Sequence, residues 1–402
     1  MRLSKLSIAD IPIRGKRLFI RVDFNVPLDA HGRVTDDTRM RASLPTIRYA
    51  FEREAKVILA SHLGRPSGKV EARYSLKPVA TRLSELLGTD VTMAEDCLGP
   101  AVEALVARMR EGDVLLLENL RFHAGEEKND SSFAQQLARL ADIYVNDAFG
   151  TAHRAHASTE AITRFVPTAV AGLLMQAELE HLGRLLETPE RPAIAILGGA
   201  KVSDKIGLIF NLLPKLDQVL IGGGMAYTFL VTQGIAVGNS LVEADKLEAA
   251  REILTQAKWR GVAMHLPEDH VIAQRLEATA STQVVPRDGI AAGWMGGDIG
   301  PRTIDTFTKA INAAKTVVWN GPLGVFEMAP FAKGTNAVAV AVASAKAISI
   351  VGGGDTVAAV NDAGVAERIT HISTGGGAFL ELLEGRELPG VAALTDKPGT
   401  GT

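Results

Sequence analysis

Short aliphatic runs alternate with stretches of helical periodicity along the whole chain. In the first half, residues 17–22, 56–60, 114–117 and 143–145 are such runs, and 91–94 is a weaker one. Between them, residues 75–87, 101–110 and 132–140 read as helices. Runs separated in this way predict βαβ units and an open parallel sheet. The second half keeps the rhythm but empties each run into glycine. Ala193-Ile194-Ala195-Ile196-Leu197 meets Gly198-Gly199, Val219-Leu220-Ile221 meets Gly222-Gly223-Gly224, and Thr316-Val317-Val318-Trp319 meets Asn320-Gly321-Pro322. Ile348-Ser349-Ile350-Val351 then meets Gly352-Gly353-Gly354-Asp355-Thr356, and Ile372-Ser373-Thr374 meets Gly375-Gly376-Gly377. First-half runs end instead in acids, amides, histidines and arginines: Asp23 and Asn25, His62 and Arg65, Arg121, then Asn146, Asp147 and Arg154.

Between the halves, residues 170–188 read as one helix. Leu179, Leu182 and Leu186 recur at spacings of three and four, with Glu178, Glu180, His181 and Arg184 on the polar side. Pro189 and Pro192 stop it before the next strand. The expected fold is therefore α/β, with two doubly wound, Rossmann-like parallel-sheet domains joined by a helix, the first covering 1–172 and the second 173–388.

Composition agrees. The 402 residues suggest two or three domains at about 150 residues each. Hydrophobic content of 47% with 5% aromatics suits aliphatic sheets covered on both faces. A net charge of −3 lacks the basic surplus that nucleic acid or an anionic membrane demands, so clustered arginines serve something small. Cys97 is the one cysteine, which excludes an internal disulfide and a cysteine metal cage. No run approaches the ~18 apolar residues of a membrane span, and the first ten residues carry no leader pattern, so a soluble, cytoplasmic protein is expected.

In a doubly wound sheet, ligands bind beyond the carboxyl ends of the strands, where helix N-termini offer unpaired N–H groups to phosphate. One glycine cluster is commonly just a turn; five at one sheet edge point to a nucleotide. Gly198-Gly199-Ala200-Lys201-Val202-Ser203-Asp204-Lys205 is the richest segment, with Lys201 and Lys205 on one face if a helix has begun. Asp355 reads either as an N-cap or as a ligand, direct or through water, for Mg²⁺ on nucleotide phosphates. Glu327 is a candidate partner for a ribose, or a solvated loop residue. Gly64 to Lys69 resembles a Walker loop, but is one residue short and is followed by Val70 instead of Ser or Thr. A dinucleotide fingerprint is also missing.

Asp23 and Asn25 alternate past Phe24 as the first strand ends, facing one side for substrate hydroxyls. Ser61-His62-Leu63-Gly64-Arg65-Pro66 supplies two cations in a turn, and Arg39, Arg121 and Arg154 come from other loops. Guanidinium forks match carboxylate and phosphate geometry. His31, His123, His153 and His156 lie near these loops with no chemistry assigned.

Taken together, these segments resemble the phosphoglycerate kinase family over essentially the whole chain. The resemblance rests on Arg21-Val22-Asp23-Phe24-Asn25-Val26-Pro27, Asp37-Thr38-Arg39-Met40-Arg41, Ser61-His62-Leu63-Gly64-Arg65-Pro66, and Leu117-Glu118-Asn119-Leu120-Arg121-Phe122. Asn146-Asp147-Ala148-Phe149-Gly150-Thr151-Ala152-His153-Arg154 and the glycine segments follow in the family's order. It implies 3-phosphoglycerate on the first domain, Mg-nucleotide on the second, and a C-terminal segment 389–402 returning to the first. Implied phosphoglycerate contacts are Asp23, Phe24, Asn25, Arg39, His62, Leu63, Gly64, Arg65, Arg121 and Arg154. Implied nucleotide contacts are Gly198, Gly199, Lys201, Lys205, Gly222, Gly223, Gly296, Asn320, Pro322, Glu327, Gly353, Gly354, Asp355 and Thr356. Gly297 stands where the family usually carries a larger apolar residue.

The implied reaction transfers a phosphoryl group from 1,3-bisphosphoglycerate to ADP, reversibly, in a monomer with Mg²⁺. A carboxylate with a pKa of about 4 needs no general base, and phosphoryl transfer needs in-line placement and charge neutralisation. Arg39 and Lys205 are expected at the moving phosphoryl oxygens, with the helix N-terminus at Gly376 and Gly377 beside them. The rival readings are a non-catalytic two-domain binder of a phosphorylated metabolite and a dehydrogenase.

Overall fold

Strand β1 (Arg17–Arg21) is buried along nearly its whole length, as a central parallel strand must be when helices cover both faces. It pairs in parallel with β2 (Lys56–Ala60) on one side and β5 (Ile143–Asn146) on the other. With β3 (Val91–Met93), β4 (Val114–Leu116) and β6 (Ala169–Ala171), the sheet order is β3-β4-β2-β1-β5-β6. Leu18, Ile20, Val57 and Leu59 from the strands share a core with Met40 and Ile47 of the helix Thr38–Glu52. That helix escaped the sequence reading because Pro45 sits inside it, where the ring removes an N–H donor.

The computed structural model describes residues 3–398. It divides into one unit of Met1–Glu180 with Glu387–Thr402 and another of His181–Arg386. The segment read as one helix over 170–188 opens instead with β6, and the helix spans Leu173–Glu187. Asp147, at the end of β5, accepts the Leu174 and Met175 N–H groups at 3.0 and 3.2 Å, capping the new helix from a distance. The C-terminal segment belongs to the first unit: Leu6 N–H donates to the Thr395 carbonyl at 2.9 Å, and Thr395 N–H to that of Ala169 at 2.9 Å. Residues 399–402 of the expected return lie outside the described residues.

In the second unit, β7 (Ala193–Leu197), β8 (Gln218–Ile221) and β9 (Ala263–His265) precede a three-stranded antiparallel sheet. This smaller sheet comprises β10 (Asp269–Ala273), β11 (Gln283–Pro286) and β12 (Met295–Ile299). Then β13 (Thr316–Asn320), β14 (Ile348–Val351) and β15 (His371–Ile372) complete a parallel sheet of order β15-β14-β13-β7-β8-β9. The five glycine-ended runs are five of its six strands; β9 is the sixth. The antiparallel sheet was not foreseen, because Met295-Gly296-Gly297-Asp298 offers no aliphatic run to read as a strand. Trp319, Ile194, Ile196, Phe307 and Val338 form this unit's core. Among the described residues, no helix is long and apolar enough to cross a membrane.

In each parallel sheet the strand order reverses once: between β1 and β5 in the first, and between β7 and β13 in the second. At such a point adjacent loops diverge to opposite faces and leave a crevice at the carboxyl edge.

Candidate active site

At the carboxyl end of β1, residues alternate between core and edge. Phe24 is fully buried and joins the hydrophobic core, and its N–H donates to Ser61 Oγ at 2.9 Å. Leu63 is likewise a core residue. Expected as ligand contacts, these two give their side chains to packing, which leaves only their backbones for a ligand. Asp23 and Asn25 point the other way. Asp23 Oδ2 accepts from Arg39 Nη1 at 3.0 Å, and Arg39 also reaches the Asn25 carbonyl at 3.3 Å. Asn25 Oδ1 accepts the Gly64 N–H at 2.9 Å, which ties the loops after β1 and β2 together.

His62 and Arg121 are both buried at this edge. Arg121 Nη1 donates to the Gly64 carbonyl at 2.9 Å, and its Nε lies 3.3 Å from Glu127 Oε1. Burial pushes the His62 imidazole well below its usual range, and the charges of Arg21, Arg121 and Arg39 add to the effect. Burial also lowers Arg121, with Arg21 and Arg154 contributing, and His156 falls to about 4 through burial and the same arginines. Buried Arg21 and Arg121 beside neutral imidazoles give this edge a positive potential that suits an anion. Arg154 is half-buried beside them; Arg65 is exposed on its loop. Neither guanidinium is hydrogen-bonded or ion-paired among the described residues.

Behind His62 lies a network that the sequence reading did not pick out. Arg21 Nη2 is 3.2 Å from His62 Nδ1, and Arg21 Nε donates to Ser158 Oγ at 2.8 Å. A guanidinium only donates, so Nδ1 accepts and the His62 proton sits on Nε2. Ser158 Oγ in turn donates to Glu126 Oε1 at 2.6 Å, and Ser158 N–H to Oε2 at 3.0 Å. In the sequence Arg21 stood only within the run 17–22 and at the head of the Arg21–Pro27 segment, with no role assigned; Glu126 gave no signal.

In the second unit the glycine loops interlock. Gly198 N–H donates to the Asn320 carbonyl at 3.0 Å, Gly199 N–H to that of Pro322 at 2.8 Å, and Gly223 N–H to that of Leu323 at 2.9 Å. A Cβ on Gly198 would lie 2.1 Å from Pro322 O, so only glycine lets the loops after β7 and β13 meet. They frame a cavity of about 440 Å³ lined by Gly199, Gly223, Gly296, Pro322, Glu327 and Asp355. Tyr227, Leu241, Leu276 and Met295 add an apolar wall that the sequence reading missed, because the antiparallel sheet and its neighbours supply much of it. Gly297 also lines the cavity; a Cβ there would meet Phe331 at 2.3 Å, so the glycine makes room for that ring.

Lys205 is buried and donates to Asn320 Oδ1, while Asn320 Nδ2 donates to the Gly352 carbonyl at 2.6 Å. Burial pulls the Lys205 ammonium down, and the charges of Asp204, Asp355 and Glu384 push it back up. The helix here begins only at Ile206, so Lys201 and Lys205 do not share a helical face; Lys201 is exposed in the irregular chain before it. Thr356 is buried, and its hydroxyl accepts the Gly321 N–H at 2.7 Å. Asp355 is exposed in the first turn of the helix Gly354–Asp362, and its side chain caps nothing; Gly353 holds the N-cap. Gly376 and Gly377 open the helix Gly376–Leu383 and are not among the residues lining the cavity. Gly198, Gly222, Gly353 and Gly354 are also outside the lining, in the loops beneath and beside it.

A hollow of about 710 Å³ in the first unit is larger, but Asp37 pairs with Arg41 at 2.8 Å and Arg82 at 2.7 Å there. Its cations are spent on protein carboxylates.

The family model for phosphoglycerate kinase matches residues 8–386. The chain belongs to the phosphoglycerate kinase family. A phosphoglycerate kinase of Pelotomaculum thermopropionicum is 59% identical over 395 residues, covering 98% of this chain and 100% of the relative. One from Acidobacterium capsulatum is 60% identical over 404 residues, with 98% and 100% covered. The solved phosphoglycerate kinase of Coxiella burnetii superposes with a TM-score of 0.90 at 43% identity, covering 97% of this chain and 98% of that one. Full-length kinship of this order gives the chain the family's activity, that of a phosphotransferase with a carboxyl group as acceptor, and its place in glycolysis.

Proposed function

We propose that the carboxyl edge of the first sheet holds 3-phosphoglycerate and that of the second holds the Mg-nucleotide. Arg65 and Arg154 beside buried His62 and Arg121 carry the first assignment, because among the described residues no protein carboxylate pairs with these two guanidiniums. Asp23 and Asn25 then take the hydroxyl side of the acid, and Arg39, Arg65 and Arg154 its charged ends. His62 presents Nε2–H as a neutral donor, since Arg21 occupies Nδ1.

On the second sheet, glycine N–H groups approach the phosphates and the apolar wall takes the base, with Glu327 toward the ribose. Asp355 is a hard, exposed carboxylate on the cavity wall without a capping duty, which fits a Mg²⁺ that takes few carboxylates beside phosphate oxygens. Bound there, the ion neutralises phosphate charge. Lys205 offsets charge on the moving phosphoryl group from its buried station, and Arg39 does the same from the acid side. No residue is assigned as a base, because the acceptor carboxylate is already ionised. Donor and acceptor belong to different units in this reading, so transfer needs both in one ternary complex. The protein acts as a cytoplasmic monomer.

Incubating the protein with 3-phosphoglycerate and MgATP and trapping the acyl phosphate with hydroxylamine tests the reading. Hydroxamate is expected, and its loss in Arg39→Ala supports the residue roles. Folded protein that binds both compounds yet yields none is a binder, and the proposal falls.

A further inference from the structure

One cluster of ligating side chains lies outside the machinery above. After β3, Asp96 and Cys97 face His123, and one ligand atom from each lies within 4.8 Å of the other two. His123 Nε2 is 2.6 Å from Asp96 Oδ1, and the same oxygen accepts the Cys97 N–H at 2.6 Å. The imidazole stacks on Phe133 with ring centroids 5.4 Å apart, so packing holds its orientation. Cys97 is fully buried, while the Asp96 side chain is 48% exposed and that of His123 31%, so the cluster has a dry floor and an open rim.

We propose that Asp96, Cys97 and His123 form a binding site for a divalent transition ion of the Zn²⁺ type. Thiolate, imidazole and carboxylate are the donor types Zn²⁺ takes, and three of them leave a fourth, open position at the rim. Ligand atoms ~2.1 Å from a tetrahedral centre lie ~3.4 Å apart. The His123–Asp96 contact therefore opens slightly and Sγ moves inward, a change within reach of side-chain rotation. A divalent ion displaces the thiol proton on binding. Hard Mg²⁺ has no comparable use for sulfur. Occupancy ties the segment after β3 to the loop that carries Arg121, through His123.

Because Cys97 is the chain's one thiol, Co²⁺ gives an unambiguous readout. Titrating the intact protein with Co²⁺ is expected to raise a thiolate-to-cobalt charge-transfer band in the near ultraviolet at one equivalent, bleached by Zn²⁺. Co²⁺ held by oxygen ligands at the nucleotide site gives no such band, so the result is independent of the phosphoryl-transfer reading. Cys97→Ser removes the band. His123→Ala and Asp96→Asn keep the thiol, and in each the affinity is expected to fall by ~100-fold or more, beyond what loss of an outer partner costs. Absence of the band at saturating Co²⁺, or an undiminished affinity in the His123 and Asp96 variants, overturns the proposal.

Discussion

Asp298 sits in β12 beside the cavity and is buried. Its Oδ2 accepts the Gly334 N–H at 2.6 Å and its Oδ1 the Ile299 N–H at 2.9 Å. Burial nevertheless wins, pushing the carboxyl from 3.8 up to about 7. Above pH ~4 the unfolded chain releases this proton while the folded one keeps it, so stability declines as pH rises and levels off only past pH ~7. Between pH 5 and 7 the linkage amounts to about 2 kcal/mol from this group alone. Asp298→Asn cannot ionise and removes that decline. The variant also replaces one accepting oxygen by an NH2 that cannot accept, which shifts stability at every pH, so the comparison across pH is the readout and not the level. Trp259, Trp294 and Trp319 are the chain's three tryptophans and all belong to the second unit, so tryptophan fluorescence follows that unit's unfolding in urea. Relative to the parent protein, the variant is expected to gain about 2 kcal/mol between pH 5 and 7. An offset that is the same at both pH values refutes the reasoning.

Arg39→Ala is expected to lower kcat by ~10²–10³-fold while the Michaelis constant for 3-phosphoglycerate moves much less, in a coupled steady-state assay. A change confined to the Michaelis constant removes Arg39 from the transition state. Burial lowers the Lys205 ammonium, so the charged form is lost at a lower pH than for a free lysine. The kcat profile should show an alkaline decline that disappears in Lys205→Arg, and an identical decline in the variant assigns it elsewhere. His62 is expected to stay neutral from pH 6 to 8, with its proton on Nε2, in nitrogen-detected NMR of the imidazole. Titration near the ordinary histidine value, or a proton on Nδ1, contradicts the Arg21 contact.

Much of the fold was legible because parallel strands buried on both faces become short aliphatic runs, and β7 with its glycine ending is such a case. The glycine clusters also located the nucleotide edge, since a loop that must pass within contact distance of another backbone tolerates nothing larger. Elements whose signal is divided between neighbours stayed hidden. β12 reads as glycines and an acid, and becomes a strand only through pairing with β10. Thr38–Glu52 is a helix despite Pro45, because Met40 and Ile47 are held in the core. In the site, residues at strand ends were found, but Phe24 and Leu63 belong to the core, since alternation along a strand sends every second side chain inward. Glu126 comes from a short helix far along the chain, and its link to His62 through Ser158 and Arg21 exists only in three dimensions.

The proposed function places one substrate on each of two sheet edges. Crystals grown with 3-phosphoglycerate and a non-hydrolysable MgATP analogue test it directly. The acid is expected at His62, Arg121 and Asn25, beyond β1 and β2, and the nucleotide in the cavity lined by Gly199, Gly223 and Asp355, beyond β7 and β13. Both ligands on the same sheet edge, or the acid seated among the glycine loops, would contradict it.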